Sequence, residues 1–528
     1  MEKDSKLPSN VTGSGTWTEG EVVTPAPRLA RFFPGPSPNR NPQHTSARTL
    51  SIGVNICAGA VLMLSGWNVA LFGSVSTNAN YLSVVGLSKN TPHNQLLIGL
   101  INSIYFLGVI AGALLCGPLS DKVGRRKSLV TGGLLGFIAI PMLTATKNFV
   151  WTICCRFLNG IATGGMDAAA LTWTAEIASQ HHRGRMVGIL MCLAATGAST
   201  VYFMMYGLSA HSTGGLVWRL PVAFQLVFIT VMIPAVFVLP ESPRWMVKVG
   251  MIADARIVLR SLHASGDSSD AAVENDLQAI IDAHAEAARD LSSTSYWRML
   301  LVPDEYATVR RTWSALFVQF STQALIGASF VGGYGISIFV TGGWSTHLAS
   351  LLVGVSIVTQ AVSGLCGVMW SEKMGRRYAM VGGALMGCAL LALIGMCGYF
   401  VNKHSIGNPG LAKQYGGVTV ALLLLWCAQF GATWLWCPFT YPSEIFPLRY
   451  RARGSSFGIV GFGMGSFLAN MVSTYLFEAL GYKTMFLLSG CSLFVGVVCF
   501  FAMPETAGKS LEEIENTFLT AGVKAQHS

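Results

Sequence analysis

Charged residues recur at fixed offsets in the two halves of this chain. Gly124-Arg125-Arg126 is matched by Gly375-Arg376-Arg377. Glu176 is followed by Arg183 seven residues later, and Glu444 by Arg451 seven residues later. Pro240-Glu241-Ser242 is matched by Pro504-Glu505-Thr506. Guanidinium and carboxylate groups pair bidentately. The set therefore predicts an ionic latch that pairs across two bundles in one conformation and parts in another, with Asp121 and Glu372 as further carboxylates. A lone Gly-Arg-Arg would do no more than orient an apolar segment; three motifs in register point to the latch. Two more ionisable groups, Arg156 and Asp167, lie inside one apolar stretch. They are eleven residues apart, about 16 Å along a helix, so they cannot pair directly. Asp167 falls towards the cytoplasmic end of that stretch, where it faces water or joins the latch.

The elements that position these groups are long apolar segments. Of the 528 residues, 52% are hydrophobic and 11% charged, against roughly a quarter charged in soluble domains. A soluble chain of this length needs several charged surfaces, and a disordered chain is poor in apolar residues. What is left is a polytopic membrane protein. A bilayer-crossing helix takes about 20 mostly apolar residues. Twelve such segments are present, at about 51–74, 96–119, 128–146, 149–173, 186–208, 220–239, 312–340, 348–370, 378–400, 418–441, 455–476 and 485–503. The fold class is thus all-α, with twelve transmembrane helices in two pseudo-symmetric six-helix bundles. The register of the repeats implies one design used twice, with a site between the halves.

The short loops carry twelve basic residues on one side and six on the other. The richer side is cytoplasmic by the positive-inside rule, and both termini lie there. The net charge of +10 is therefore topology, not a nucleic-acid patch. All twelve cysteines fall in apolar stretches with no Cys-x-x-Cys pair, which argues against a zinc site or a disulfide framework. No metal or cofactor is expected. Residues 1–49 read as a disordered cytoplasmic tail without a signal peptide. Residues 50–240 form the first bundle, 312–504 the second and 505–528 a short C-tail. Between the bundles, 241–311 is the one long loop. There Val273, Leu277, Ile280 and Ile281 recur at helical spacing, which predicts short amphipathic helices; the alternative is a plain linker.

These motifs carry a family resemblance. Gly117-Pro-Leu-Ser-Asp-Lys-Val-Gly-Arg-Arg126 resembles the loop signature of the major facilitator superfamily. Pro240-Glu-Ser-Pro-Arg-Trp245 resembles the signature that closes the sixth helix of its sugar porter family. Tyr441-Pro-Ser-Glu-Ile-Phe-Pro447 and Pro504-Glu-Thr-Ala-Gly508 resemble two more, with Ala507 where lysine is usual. Arg156 and Glu176 resemble the family's fourth-helix pair. The likeness covers roughly residues 50–520. The Gln323-x-x-x-Gly327 pattern and the polar N-tail look most like fungal members, towards the α-glucoside permease branch.

The resemblance implies a carrier for a sugar or polyol working by alternating access. Such a site needs amides and hydroxyls for the solute's hydroxyls and an aromatic face for its C–H side. Gln323 is the leading candidate, followed by Ser329 and Tyr334 in the same span. Gln360 falls where relatives resemble it with a sugar-binding amide. Phe439 holds the position of a ring-stacking tryptophan, and Asn470 is a further polar candidate. Relatives read Gln-Gln then Asn, so Ala324 and Ser329 are departures. Met191 stands where hexose porters resemble one another in a glutamine, and Leu171 and Trp173 replace a Pro and a Tyr. These departures argue against an ordinary glucose site and leave an unusual sugar, a polyol, a sugar acid or another metabolite. Singly, each polar residue reads as an interhelical hydrogen bond; as a set they read as ligand contacts.

In proton-coupled sugar porters the first-span residue here held by Asn68 resembles an aspartate facing the Arg156 position. An amide cannot titrate near neutral pH. Asn68 can bond Arg156 without switching it, which predicts downhill transport. The competing expectation is a proton symporter using Asp167. A non-transporting nutrient receptor on the same fold is the alternative of another class, and an enzyme has no catalytic set to support it. The expected partners are the solute and the bilayer, with a monomer in the plasma membrane and no nucleic acid.

Overall fold

The computed structural model describes residues 47–88, 91–177, 183–212, 214–263, 270–289, 296–304, 307–341, 343–405, 407–446 and 450–507, with 509, 513, 514 and 518. Residues 1–46 of the tail expected at 1–49, and most of the C-tail, lie outside them, while residues 47–49 open the first helix. So do the side chains of Arg183, Tyr334, Glu372 and Arg451.

Twelve long helical units follow in the expected order. The first six are Ala47–Val75, Pro92–Val123, Arg125–Thr144, Phe149–Ile177, Arg183–His211 and Leu216–Val238. The seventh is broken into Thr308–Ala324 and Ala328–Thr341. Then come Thr346–Met374, Arg376–His404, a tenth broken into Pro409–Thr433 and Cys437–Ile445, Arg451–Leu480 and Lys483–Ala502. Eleven spans among the described residues are long and apolar enough to cross a membrane. The fourth helix is the exception, because its buried face carries Arg156, Asn159, Thr163 and Asp167.

Small residues set how closely these helices cross. The second and fourth spans pack most intimately in the first half. A Cβ on Gly108 would sit 2.3 Å from the Phe157 carbonyl oxygen, and one on Gly160 would sit 2.1 Å from that of Tyr105. The second half repeats this between the eighth and tenth spans, where a Cβ on Gly431 would sit 2.2 Å from the Gln360 carbonyl oxygen. Gly160→Val should therefore overpack the crossing, at a cost of about 1–3 kcal/mol. A melting temperature unchanged in detergent would show that the two helices do not approach this closely.

The halves meet through the second span against the eleventh and the fifth against the eighth. The Tyr202 hydroxyl donates to the Gly332 carbonyl across this seam. At one end of this seam the Tyr206 and His347 rings lie 4.1 Å apart.

The described residues of the central loop include four helices. Pro243–Lys248, Ile252–His263, Asp270–Arg289 and Tyr296–Leu301 are its helices. Trp245, Met246, Val258, Leu259, Val273 and Leu277 form a small core of their own. Phe518 is buried with the Arg311 guanidinium 4.5 Å above its ring, which seats this part of the C-tail under the seventh span.

Candidate functional site

The repeated charges at the helix ends form two copies of one clasp, each inside its own half. Gly124 and Gly375 take φ of +99° and +78°, a region that favours glycine, and each turns the chain into the next helix. The exposed backbone N–H groups behind the turn need acceptors. Glu241 accepts from the Arg125 and Arg126 amides at 3.0 and 3.2 Å. Glu505 accepts from the Arg376 and Arg377 amides at 2.8 and 3.0 Å. Burial pushes the Glu241 carboxyl above the usual carboxylate range, while the Ser242, Arg126 and Arg125 backbone bonds and the Arg125 charge pull it down.

The arginine side chains repeat as well. Arg125 pairs with Glu176 at 2.7 Å, and Arg376 with Glu444 at 2.8 Å. Arg126 donates to the Val236 and Phe237 carbonyls, and Arg377 to that of Phe500. Asp121 joins through Arg125 at 3.5 Å and Lys248 at 3.0 Å. The Thr506 hydroxyl donates to Glu444 at 2.6 Å. The pairs described here lie within one half: Glu241 and Glu505 take the backbone amides at the turns, while Glu176 and Glu444 take the Arg125 and Arg376 guanidiniums; the Arg183 and Arg451 side chains of the expected latch lie outside the described residues. Across the seam, Gly184 faces the Arg376–Glu444 pair, its Cβ position lying 3.7 Å from a Glu444 oxygen.

The ionisable groups of the fourth span are separated, as their spacing requires. Asp167 is 8% exposed. It accepts from the Ser65 hydroxyl at 2.7 Å, and its second oxygen has no partner. It neither faces water nor joins the clasp; the first span covers it. Arg156 is fully buried, with its guanidinium 4.0 Å from the Phe72 ring and 4.6 Å from that of Tyr105. It donates to the Ile101 and Asn102 carbonyls. The expected bond to Asn68 does not form. Asn68 donates to the Leu64 carbonyl and accepts from Asn159 at 2.8 Å, and Asn159 also donates to Gln225. Asn159 lies one turn beyond Arg156, on the side that Asn68 meets.

In the second half the break in the seventh span creates a polar cluster. Gly327 has φ of +99°, so the helix stops at Ala324 and restarts at Ala328. Across that break the Ser329 hydroxyl donates to Gln323 at 2.9 Å and approaches that of Ser466 at 3.4 Å. Asn470 donates to the Ser466 carbonyl at 2.8 Å. Three of the sequence candidates are therefore together. Gln360 is half-buried on the eighth span. Phe439 faces Phe462 at 6.0 Å, and Met191 is packed in the apolar core of the first half.

Several polar residues escaped the sequence reading. Gln319 lies one turn before Gln323, donates to the Pro438 carbonyl at 3.0 Å and keeps an unpartnered amide oxygen. That turn spacing was a readable signal. Ser65, Tyr105, Asn159, Gln225 and Ser466 gave none, since each is an ordinary polar residue until the helices meet.

A profile of the sugar (and other) transporter family matches residues 54–518. The chain is 25% identical to the low-affinity glucose transporter HXT3 of Saccharomyces cerevisiae over 88% of its length and 82% of that protein's. It is 27% identical to the putative hexose transporter 12 of the same yeast, over 82% and 93%. In structure it resembles the proton:xylose symporter XylE bound to 6-bromo-6-deoxy-D-glucose. The TM-score is 0.72 at 20% identity, over 89% of this chain and 99% of that one. The inward-open conformation of XylE from E. coli gives 0.66 at 20%, over 88% and 99%. With the family matched along nearly all the described spans and the major facilitator fold in place, the chain belongs to the sugar (and other) transporter family, as a multi-pass membrane carrier, not an enzyme, that moves a sugar-like solute by alternating access.

Proposed function

We propose that this carrier takes up its solute together with a proton, and that Asp167 is the proton-carrying group. The observation that carries this is the Asp167 carboxyl itself, buried in a span with one hydroxyl donor and no cation among the described residues. An ionisable group at such depth is costly and marks ion and proton paths. XylE, whose fold the chain shares, is a proton:xylose symporter. This reading replaces the downhill transport expected from Asn68. It is tested by uptake into liposomes with and without an imposed inward proton gradient. Gradient-driven accumulation is expected, and its loss in Asp167→Asn, with downhill exchange retained. Uptake that never exceeds equilibration would return the carrier to the facilitator reading, which Asn68 favours because its amide cannot titrate.

The amide and hydroxyl cluster at Gln323, Ser329 and Asn470 is the proposed solute contact, with Gln360, Tyr334 and Phe439. The names of the yeast relatives make hexoses the first solutes to screen, with α-glucosides, polyols and sugar acids beside them. The protein is proposed to act as a monomer in the plasma membrane with both termini cytoplasmic.

A further inference from the structure

The buried charge of Arg156 lacks a counter-ion. No carboxylate among the described residues pairs with it, and its Nη1 has no acceptor. The two aromatic faces and two carbonyls that hold it are neutral. Asn68, in the neighbouring span, spends its oxygen on Asn159. Two phenols share the deficit. The hydroxyls of Tyr105, whose ring carries the guanidinium, and of Tyr81 are buried and make no hydrogen bond of normal length, with only neutral hydroxyls such as Thr152 near them. Two neutral phenol hydroxyls thus lie beside one cation whose Nη1 has no acceptor, and what the group lacks is an anionic acceptor. A buried guanidinium left unpaired is strongly unfavourable, and the partner that matches it best is a carboxylate, held bidentately.

We infer that the solute supplies this carboxylate, so that the carrier's preferred substrates are hydroxylated monocarboxylates, the sugar acids, recognised through Arg156. This rests on the carrier reading above and names its substrate class. Arg156 is only 1% exposed, so the carboxylate reaches it when the first half opens during the transport cycle. The charge balance then has a consequence. A monoanion entering with one proton carries no net charge, whereas a neutral sugar entering with a proton carries one positive charge.

The test uses the purified full chain in liposomes with D-gluconate and D-glucose as paired probes. In counterflow exchange, with no gradient imposed, gluconate should be preferred at least tenfold. Arg156→Gln should reduce that preference at least tenfold, and Arg156→Lys should restore part of it. Equal exchange of the two probes, or preference for glucose, by the unmodified protein would overturn the inference, whatever the variants do. With a proton gradient, gluconate accumulation should be insensitive to a membrane potential set by potassium and valinomycin. Glucose accumulation exceeding that of gluconate under the same proton gradient, at zero potential, would overturn the inference and leave proton coupling standing. A gluconate preference without any accumulation would support the inference and remove the coupling.

Discussion

Glu176→Ala should destabilise the protein by about 3 kcal/mol and slow net transport at least tenfold, with solute affinity changed only a few-fold. The side chains of Arg125 and Glu176 are 6% and 14% exposed. Truncating one member strands a buried charge, and for a buried pair that loss is typically about 3–5 kcal/mol. The lower figure applies because Asp121 stays beside Arg125. Glu444→Ala should behave alike, since Arg376 holds Glu444 through both Nε and Nη2, at 3.1 and 2.8 Å. Double-mutant cycles separate a clasp within each half from a latch between halves. Thermal melts should show strong coupling for Arg125 with Glu176 and for Arg376 with Glu444. Coupling of Glu176 to Arg376 should stay below about 0.5 kcal/mol. Strong coupling across the halves would mean that these pairs trade partners, against the geometry found.

Gln323→Ala should weaken solute binding roughly tenfold to a hundredfold, the cost of about 1–3 kcal/mol for removing a hydrogen bond to a buried hydroxyl. The Gln323 carbonyl is occupied by Ser329 at 2.9 Å, while its amide nitrogen donates to no described residue. It is that nitrogen which is left for a ligand. Ser329→Ala should have a smaller effect, because it frees the Gln323 oxygen instead of deleting the amide. Binding is read by isothermal titration or by exchange kinetics on protein matched for folded yield. Unchanged affinity in Gln323→Ala would move the solute site away from the seventh span.

Much of this protein was legible in its sequence. Spans are readable because a lipid-facing helix must be apolar along its whole length and satisfy its own backbone. The repeated Gly-Arg-Arg and Pro-Glu motifs were readable because each half ends its helices by the same chemistry, a glycine at positive φ and a carboxylate on the exposed amides. The cluster around Gln323 was partly readable, since an amide in an apolar span has few other uses. What the sequence could not decide is which groups meet. Arg125 and Glu176 are 51 residues apart along the chain, and only the packing of the third span on the fourth makes their pair internal to one half. Asn68 could have met Arg156 or Asn159. The register of the first span on the fourth chose Asn159, at 2.8 Å, and left the guanidinium to aromatic faces. Ser65 reached Asp167 for the same reason, 102 residues away in sequence. One turn of helix is about 5.4 Å, longer than any hydrogen bond. A partner assignment therefore changes with a single turn of register, which only the packed helices fix, as the close crossing of the second span on the fourth at Gly108 and Gly160 shows.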